Sequence, residues 1–313
     1  MTKYCVETQI LQYCVLKKRP KKKVLSLGFF DSVHIGHREI IAVSARMARE
    51  FGMVPAIYTF DNDFFKALGS DEKLIYTLSE RMTVFSEAGI APENVIVGSP
   101  SETVIKMSGE EFLDKMSLFN VGAVVCGADF RFGSGAACGT DDLKAWGAAH
   151  GIPVVVVPLK TEWQRKISSR DIREYIGIGE VKLAEHFLAR PFFVRGTVEH
   201  DRGAGRKNGL PTVNLSVDPR KLLPADGVYY TRVILKDGSV FKGVTNVGSR
   251  PTYGVGERAL ETHIIDFRGD LYGKTLTIEF KDRLRGIFKF ESKEALRAQI
   301  LEDIEKVRGT IDD

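Results

Sequence analysis

Strands and helices alternate along the first half of the chain, and this alternation restricts the fold more than any other feature. Five short segments are rich in valine and isoleucine, and most are apolar on both faces, as in strands buried within a parallel sheet. We predict these strands at 24–30, 54–60, 94–99, 123–130 and 153–159. Amphipathic helices fall between them, and Thr77/Glu80 and Ser108/Glu111 have the capping-box spacing of helix starts. The pattern predicts an open α/β domain with right-handed crossovers.

After residue 186 the pattern changes to closely spaced strands with one long helix at the end. Strands are predicted at 192–200, 212–217, 228–236, 240–247, 261–267 and 275–281, and a helix at 292–308. An Asp-Gly pair at 237–238 indicates a hairpin between two of these strands. Six strands and a terminal helix predict a small closed antiparallel barrel. We therefore divide the chain into domains 1–186 and 187–313.

Composition excludes several other classes of protein. The 313 residues contain no run close to the ~18 apolar residues that cross a membrane, so no membrane partner is expected. The net charge of +4 suits anionic ligands such as nucleotides, and it falls short of the basic face of a nucleic-acid-binding module. Four cysteines without a CxxC pair predict no zinc site and a reducing, cytoplasmic location. Nothing in the sequence indicates an oligomeric state.

The most specific local motif joins the first predicted strand to the first helix. Residues 28–37 read Gly-Phe-Phe-Asp-Ser-Val-His-Ile-Gly-His, at the carboxyl edge of the sheet where ligands of α/β domains bind. Gly36 lets the backbone approach a ligand, and the free N–H groups of the helix start attract an anion. His34 and His37 can both donate hydrogen bonds to phosphate oxygens, although two ordinary surface histidines are the alternative. His-x-Gly-His at this turn resembles the signature with which the nucleotidylyltransferase superfamily holds the triphosphate of ATP.

Two later segments of the same domain suit phosphate and a planar ligand. Ser168 and Ser169 stand at a predicted helix start with Arg173 one turn later, which suits phosphate, although an ordinary N-cap gives the same pattern. Residues 127–133 read Gly-Ala-Asp-Phe-Arg-Phe-Gly at the end of the fourth strand. Glycine, charge and two aromatic rings on one loop indicate a planar aromatic ligand beside phosphate, and a plain amphipathic strand end is the alternative.

The barrel domain has its own group of candidate residues. Residues 203–209 form a glycine-rich basic loop, which is either a solvated turn or a phosphate site that uses backbone N–H groups with Arg206 and Lys207. The oxygen atoms of Thr212 and Asn214 can complete a Mg²⁺ site with phosphate and water. Glu261 begins an otherwise apolar strand, where it is either an edge charge or a general base facing a hydroxyl nucleophile.

In this order the motifs resemble those of the bifunctional riboflavin kinase/FMN adenylyltransferase family, the prokaryotic FAD synthetases. The resemblance extends from about residue 24 to residue 308. It also includes Gly-Leu-Pro-Thr-x-Asn-Leu at 209–215, Asn-x-Gly-x-Arg-Pro-Thr at 246–252, Leu-Glu-x-His at 260–263 and Asp-Leu-Tyr-Gly at 270–273. It implies a Rossmann-like nucleotidylyltransferase domain followed by a riboflavin kinase barrel.

The resemblance implies two ATP-dependent steps, with Mg²⁺ as cofactor. In the barrel, ATP phosphorylates riboflavin to FMN, with Glu261 as the base and Thr212 and Asn214 at the metal. In the first domain, FMN attacks the α-phosphate of a second ATP to give FAD and pyrophosphate, with His34 and His37 as the catalytic pair. The residues assigned to ATP and phosphate are Gly28, Phe30, Asp31, Gly36, Ser168, Ser169, Arg173, Gly205, Arg206, Lys207, Gly209 and Pro211. The residues assigned to flavin are Asn62, Asp129, Phe130, Arg131, Asn246, Gly248, Arg250 and Thr252.

Three departures from the family pattern fall in the first domain. Ser32 replaces a glycine, residues 59–64 read Thr-Phe-Asp-Asn-Asp-Phe in place of Thr-Phe-x-Pro-His-Pro, and Arg170 replaces a hydroxyl residue. A monofunctional enzyme of the same family is therefore one alternative, and a non-catalytic flavin- or nucleotide-binding regulator is another. A class I aminoacyl-tRNA synthetase also has a His-Ile-Gly-His type motif. Residues 106–109, Lys-Met-Ser-Gly, superficially resemble the second motif of that class. We reject the class because Ser108 is better explained as an N-cap and we expect no anticodon-binding extension.

Overall fold

Five parallel strands form the first sheet of the computed structural model, which describes residues 21–100, 106–162, 165–199, 210–249 and 258–311. They are β1 (Lys23–Leu27), β2 (Val54–Phe60), β3 (Val95–Gly98), β4 (Val121–Gly127) and β5 (Val154–Val157). Their order is β3-β2-β1-β4-β5, and every pair is parallel. The predicted α/β class is confirmed. The first and fourth strands end earlier than predicted, because the backbone turns away from the sheet after Leu27 and Gly127.

Seven α-helices accompany this sheet in the described part of the chain. They are α1 (Ile35–Glu50), α2 (Phe64–Ala67), α3 (Leu78–Glu87), α4 (Gly109–Ser117), α5 (Thr140–His150), α6 (Ser169–Ile178) and α7 (Val181–Leu188). Both predicted capping boxes, at Thr77 and at Ser108, are confirmed. A small hairpin of β6 (Thr161–Glu162) and β7 (Arg165–Lys166) was not predicted. Among the described residues, no helix is both long enough and apolar enough to cross a bilayer.

Six antiparallel strands form the closed barrel that the sequence predicts. They are β8 (Phe192–Val198), β9 (Val213–Ser216), β10 (Gly227–Ile234), β11 (Val240–Ser249), β12 (Arg258–Ile264) and β13 (Thr275–Arg285). Their order around the barrel is β10-β11-β12-β9-β8-β13. The predicted C-terminal helix is α8 (Lys293–Arg308), which begins after its N-cap Ser292 and packs on β11. Its buried residues Ile304 and Val307 contact the outer face of the barrel.

The two halves meet through buried contacts. The predicted boundary at residue 186 lies inside α7, which packs on α6, β8 and β13. The hydrophobic core continues from the first sheet into the barrel, and there the Tyr76 ring lies 6.0 Å from the Phe192 ring and 4.8 Å from the Phe193 ring. Beside these rings, Lys221 and Glu80 form an ion pair at 2.9 Å, and neither side chain is exposed.

Candidate active sites

Two buried residues hold the turn after β1 in a strained conformation. Phe30 and Val33 have φ angles of 56° and 46°, and both side chains are buried. A β-branched residue rarely adopts this left-handed conformation, which costs on the order of 1–3 kcal/mol. Burial of the two apolar side chains offsets this cost. The path of the chain between β1 and α1 is therefore fixed.

His34 is the N-cap residue of α1. Its Nδ1 accepts hydrogen bonds from the N–H groups of Gly36 and His37, at 3.1 and 3.2 Å. Since Nδ1 is an acceptor, the proton of the neutral ring lies on Nε2. A Cβ atom on Gly36 would lie 3.0 Å from Cε1 of His34, so glycine makes room for this ring. The two N–H groups are engaged by His34 and are not free for an anion, contrary to the expectation from the sequence.

The two histidines stack on each other and are uncharged near neutral pH. Their ring centroids lie 3.8 Å apart, with an angle of 8° between the planes. Burial lowers the pKa of His34 to about 4 and lowers the pKa of His37 well below its usual range. Neutral rings still donate one N–H each. The pair therefore offers hydrogen bonds to a ligand and no permanent positive charge.

A polar cavity of about 150 Å³ lies beside the histidines. Ser168 and Ser169 line it, together with Lys160 and Lys166. Lys166 also pairs with Asp129 at 2.5 Å. Sequence patterns did not identify the two lysines, and the available signal was the position of Lys166 two residues before Ser168. The cavity combines imidazole and ammonium donors with two hydroxyl groups, a set that suits phosphate.

The two serines also join the segments that carry the motifs. Ser168 caps α6, since its hydroxyl accepts from the Asp171 N–H at 3.3 Å and donates to the Asp171 carboxylate at 2.6 Å. The hydroxyl of Ser169 lies 2.9 Å from that of Ser32. The N-cap interpretation of Ser168 is confirmed. Ser32, which departs from the family pattern, supplies one contact between the first turn and α6.

A larger cavity of about 480 Å³ opens next to the polar one. Its walls are mostly aromatic and aliphatic, and include Leu27, Phe29, Phe30, Tyr58, Phe60, Phe64, Leu68, Phe112, Phe130 and Phe132. Among the residues predicted from the sequence, six line it: Gly28, Phe30, His37, Asp129, Phe130 and Arg131. Phe130 stacks on Phe132, with ring centroids 5.8 Å apart. Such walls suit a planar aromatic ligand.

The aromatic cavity and the polar cavity form one continuous site. Four residues line both: His37, Ile40, Gly127 and Asp129. They come from the start of α1 and the end of β4, which are neighbours at the carboxyl edge of the sheet. A ligand with an aromatic ring and a phosphate tail can therefore place the ring in one cavity and the tail in the other.

Three predicted site residues lie elsewhere. Asp31 is buried and accepts a hydrogen bond from Arg173 at 2.8 Å, and Arg173 also binds Glu72 at 2.9 Å. Neither Asp31 nor Arg173 lines the polar or the aromatic cavity, and the Arg173 guanidinium compensates the charge of the buried Asp31 carboxylate. Their assignment to phosphate stays a prediction. Asn62, assigned to flavin, lies outside the aromatic cavity and donates to Asp218 of the barrel at 3.2 Å.

In the barrel, Glu261 belongs to a row of polar residues on the outer face. The strand register places it opposite Asn214 of β9 and opposite Asn246 of β11. Thr245 and Thr262, the adjacent residues of β11 and β12, are buried and hydrogen-bonded to each other at 2.9 Å inside the barrel. Because side chains alternate along a strand, the Glu261 row faces outward.

The candidate base and the candidate metal ligand of the barrel are in contact. The Thr212 hydroxyl donates to Oε1 of Glu261 at 2.6 Å, so Glu261 is more than an isolated edge charge. The Pro211 carbonyl accepts a hydrogen bond from Nδ1 of His263 at 2.9 Å. Gly248, assigned to flavin, is half-buried and lies on β11 two residues after Asn246. The remaining predicted residues of the barrel lie outside the described residues: Gly205, Arg206, Lys207, Gly209, Arg250 and Thr252.

A cavity of about 530 Å³ lies between the domains, and neither Asn214 nor Glu261 lines it. Leu215 and Leu260, the chain neighbours of Asn214 and Glu261, line it together with Lys73 of the first domain. Its lining comes from both domains, so no local sequence pattern identified it.

Comparisons with known proteins match both halves of the chain. The family model described as FAD synthetase matches residues 16–171, and that described as riboflavin kinase matches residues 188–311. The bifunctional riboflavin kinase/FMN adenylyltransferase of Bacillus subtilis (strain 168) is 32% identical over 301 residues, which cover 92% of each chain. That of Pseudomonas fluorescens is 32% identical over 299 residues, which cover 93% of this chain and 94% of its own.

A solved structure has the same two-domain fold. It is a crystal structure described as a macrolide-efflux protein from Streptococcus pneumoniae, with a TM-score of 0.83 and 31% sequence identity. The match covers 94% of this chain and 96% of that chain. The order of the two domains is therefore shared along nearly the whole length of both proteins.

Proposed function

Because the chain belongs to the bifunctional riboflavin kinase/FMN adenylyltransferase family, we propose that it makes FMN and FAD in two ATP-dependent steps, one in each domain. The barrel transfers the γ-phosphoryl group of ATP to riboflavin. The α/β domain transfers the adenylyl group of a second ATP to FMN and releases pyrophosphate. The match of one family model to each domain supports this division. The observation that best supports adenylyl transfer is the continuous site in which an aromatic cavity and a polar cavity share His37 and Asp129.

In the first step, Glu261 is the proposed general base. Its carboxylate accepts a hydrogen bond from the Thr212 hydroxyl at 2.6 Å, so it is already oriented toward a hydroxyl group. It takes the proton of the 5′-hydroxyl of riboflavin while that oxygen bonds to the γ-phosphorus and the bond to ADP breaks. A positioned base of this kind typically contributes about 10²–10⁴ in rate.

Mg²⁺ fits the donor atoms on this face of the barrel. The Thr212 hydroxyl contacts Glu261, and Asn214 lies opposite Glu261 in the strand register. Hydroxyl and amide oxygens are hard donors of the type that Mg²⁺ prefers, and substrate phosphates and water usually complete its coordination. Thr212 and Asn214 would hold the ion, which neutralises charge on the phosphates of ATP when it is bound.

In the second step, the flavin ring occupies the aromatic cavity and the phosphates occupy the polar cavity. A phosphate oxygen of FMN attacks the α-phosphorus of ATP, and the bond to pyrophosphate breaks. The ring N–H groups of His34 and His37 donate to the phosphoryl oxygens, and Lys160 and Lys166 balance the negative charge that develops there. No proton has to leave the histidines, which agrees with their low pKa values.

The proposal also includes the boundary between the two domains and the cellular compartment of the enzyme. We set the boundary between the adenylyltransferase and the kinase at residue 186. We place the enzyme in the cytoplasm, where Cys126 and Cys138, both free thiols, stay reduced.

One assay tests the proposed function. The protein is incubated with riboflavin, ATP and Mg²⁺, and the flavins are separated by chromatography. We expect FMN to form first and FAD to follow. FMN alone would mean that the altered residues of the first domain inactivate it, and FAD from added FMN alone would mean a monofunctional adenylyltransferase. Flavin binding without any product would mean a non-catalytic regulator.

A further inference from the structure

The segment that follows β2 departs from the family pattern and contacts the barrel. Residues 59–64, Thr-Phe-Asp-Asn-Asp-Phe, lead directly into α2. Nδ2 of Asn62 donates to Asp218 at 3.2 Å, and the Asp63 carboxylate accepts from Arg220 at 2.7 Å. Asp218 and Arg220 lie on the loop between β9 and β10. These contacts therefore join the altered segment to the kinase barrel.

Arg220 is held in place on the surface of the first domain. Its guanidinium donates to both carboxylate oxygens of Asp218, at 2.9 and 2.8 Å, and this contact lowers the pKa of Asp218. The Arg220 carbonyl accepts from the Leu74 N–H at 2.8 Å, and the Leu222 N–H donates to the Leu74 carbonyl at 2.7 Å. Backbone and side-chain contacts together fix the position from which Arg220 reaches Asp63.

The same segment forms one wall of the aromatic cavity. Asp63 occupies the N-cap position of α2, where its carboxylate binds Arg220 and makes no cap hydrogen bond. The next residue, Phe64, stacks on Phe29 with ring centroids 4.2 Å apart and lies 4.9 Å from the Phe60 ring. All three rings line the cavity. A displacement of Asp63 therefore displaces an aromatic wall.

We propose that Arg220 of the barrel and Asp63 are positioning residues for adenylyl transfer, because their ion pair holds Phe64 against the flavin ring. The inference rests on the proposed function, since it takes the aromatic cavity as the flavin site of the first domain. It extends that function by giving the kinase barrel a part in the reaction of the other domain. Neither residue lines the cavity, so the pair acts on FMN through Phe64, which does. Loss of the pair should weaken FMN binding and leave riboflavin phosphorylation intact, because neither residue contacts Thr212 or Glu261.

Asp63→Ala, Arg220→Ala and the double variant test this ion pair. We expect the KM for FMN in adenylyl transfer to rise about fivefold in each single variant, with little further rise in the double variant, because the two residues act as one unit. The kcat of riboflavin phosphorylation should stay within about twofold of the wild-type value. Quenching of FMN fluorescence should show the same loss of affinity without turnover. Arg220→Lys keeps the charge and should recover part of that affinity.

Lys182→Ala is the matched control, because it removes an exposed ion pair between the same two domains, Lys182 to Asp282 at 2.8 Å, away from the cavity. A KM for FMN that stays at the control value in Asp63→Ala and Arg220→Ala would overturn the proposal. Equal losses of both activities together with a lower Tm would also overturn it, since they indicate general unfolding. A wild-type protein that forms no FAD would refute the proposed function instead, so the two failures are distinguishable.

Discussion

Replacing Lys221 by methionine tests the buried ion pair that joins the two domains. Nζ of Lys221 lies 2.9 Å from the Glu80 carboxylate, and neither side chain is exposed. Nζ also donates to the Ile75 carbonyl and lies 4.7 Å and 4.5 Å from the ring centroids of Tyr76 and Phe192. Methionine is flexible enough to fill the space among these rings. The substitution therefore removes the charge with little change in packing.

The expected loss follows from what is left around Glu80. Its carboxylate keeps hydrogen bonds from the Thr77 N–H at 2.8 Å, the Thr77 hydroxyl at 3.1 Å and the Arg195 N–H at 2.8 Å, but it loses its counter-charge. Removing one partner of a buried pair costs about 3–5 kcal/mol. We therefore expect Lys221→Met to lower the free energy of unfolding by about 4 kcal/mol. In a chain of 313 residues this lowers Tm by about 6 °C.

Urea melts followed by circular dichroism at about pH 8 measure this loss. The double variant Glu80→Gln/Lys221→Met should be about 2 kcal/mol more stable than Lys221→Met, because it removes the unpaired charge. A loss below about 1 kcal/mol, or a double variant no more stable than the single one, would refute the reasoning.

Four further predictions concern the two sites. Glu261→Ala should slow FMN formation by about 10²–10⁴ and leave conversion of FMN to FAD unchanged, and loss of both steps would contradict separate sites. His37→Ala should slow the conversion of FMN to FAD and leave FMN formation unchanged, and a normal FAD yield would remove His37 from the site. Gly36→Ala brings a methyl group 3.0 Å from the His34 ring and should lower FAD formation about tenfold, whereas Gly177→Ala, which meets no atom within 4 Å, should not. Burial lowers the pKa of His34 to about 4, against about 6.5 in the unfolded chain, so its contribution to stability is constant above about pH 6.5 and falls by about 3 kcal/mol toward pH 4. Because burial lowers the pKa of His37 as well, urea melts of a His34→Asn variant should show a smaller loss toward pH 4 than the wild type, and an unchanged slope would contradict the assignment.

Local patterns predicted the features that are decided within a few residues of chain. The apolar strands and the capping boxes at Thr77 and Ser108 formed as expected, because each depends on near neighbours. The contact between Thr212 and Glu261 joins residues 49 positions apart, and no local pattern predicted it. Spacing alone left Glu261 undecided between an edge charge and a base.

Partners of charged side chains were predicted poorly. Arg173 has the spacing of a phosphate ligand, yet its partners Asp31 and Glu72 lie 142 and 101 residues away in the chain. Glu80 has the spacing of a capping box, and the same carboxylate also binds Lys221 of the other domain. Long charged side chains reach many positions, so their partners depend on how the two domains pack.

The buried junction of the domains also determines how the chain can be divided. A cut at residue 186 would leave Glu80 and Tyr76 on one fragment and Lys221, Phe192 and Phe193 on the other. Each fragment would then expose apolar rings beside an uncompensated charge, a surface that promotes aggregation. The two halves therefore depend on each other for folding, whether or not FMN passes directly from one site to the other.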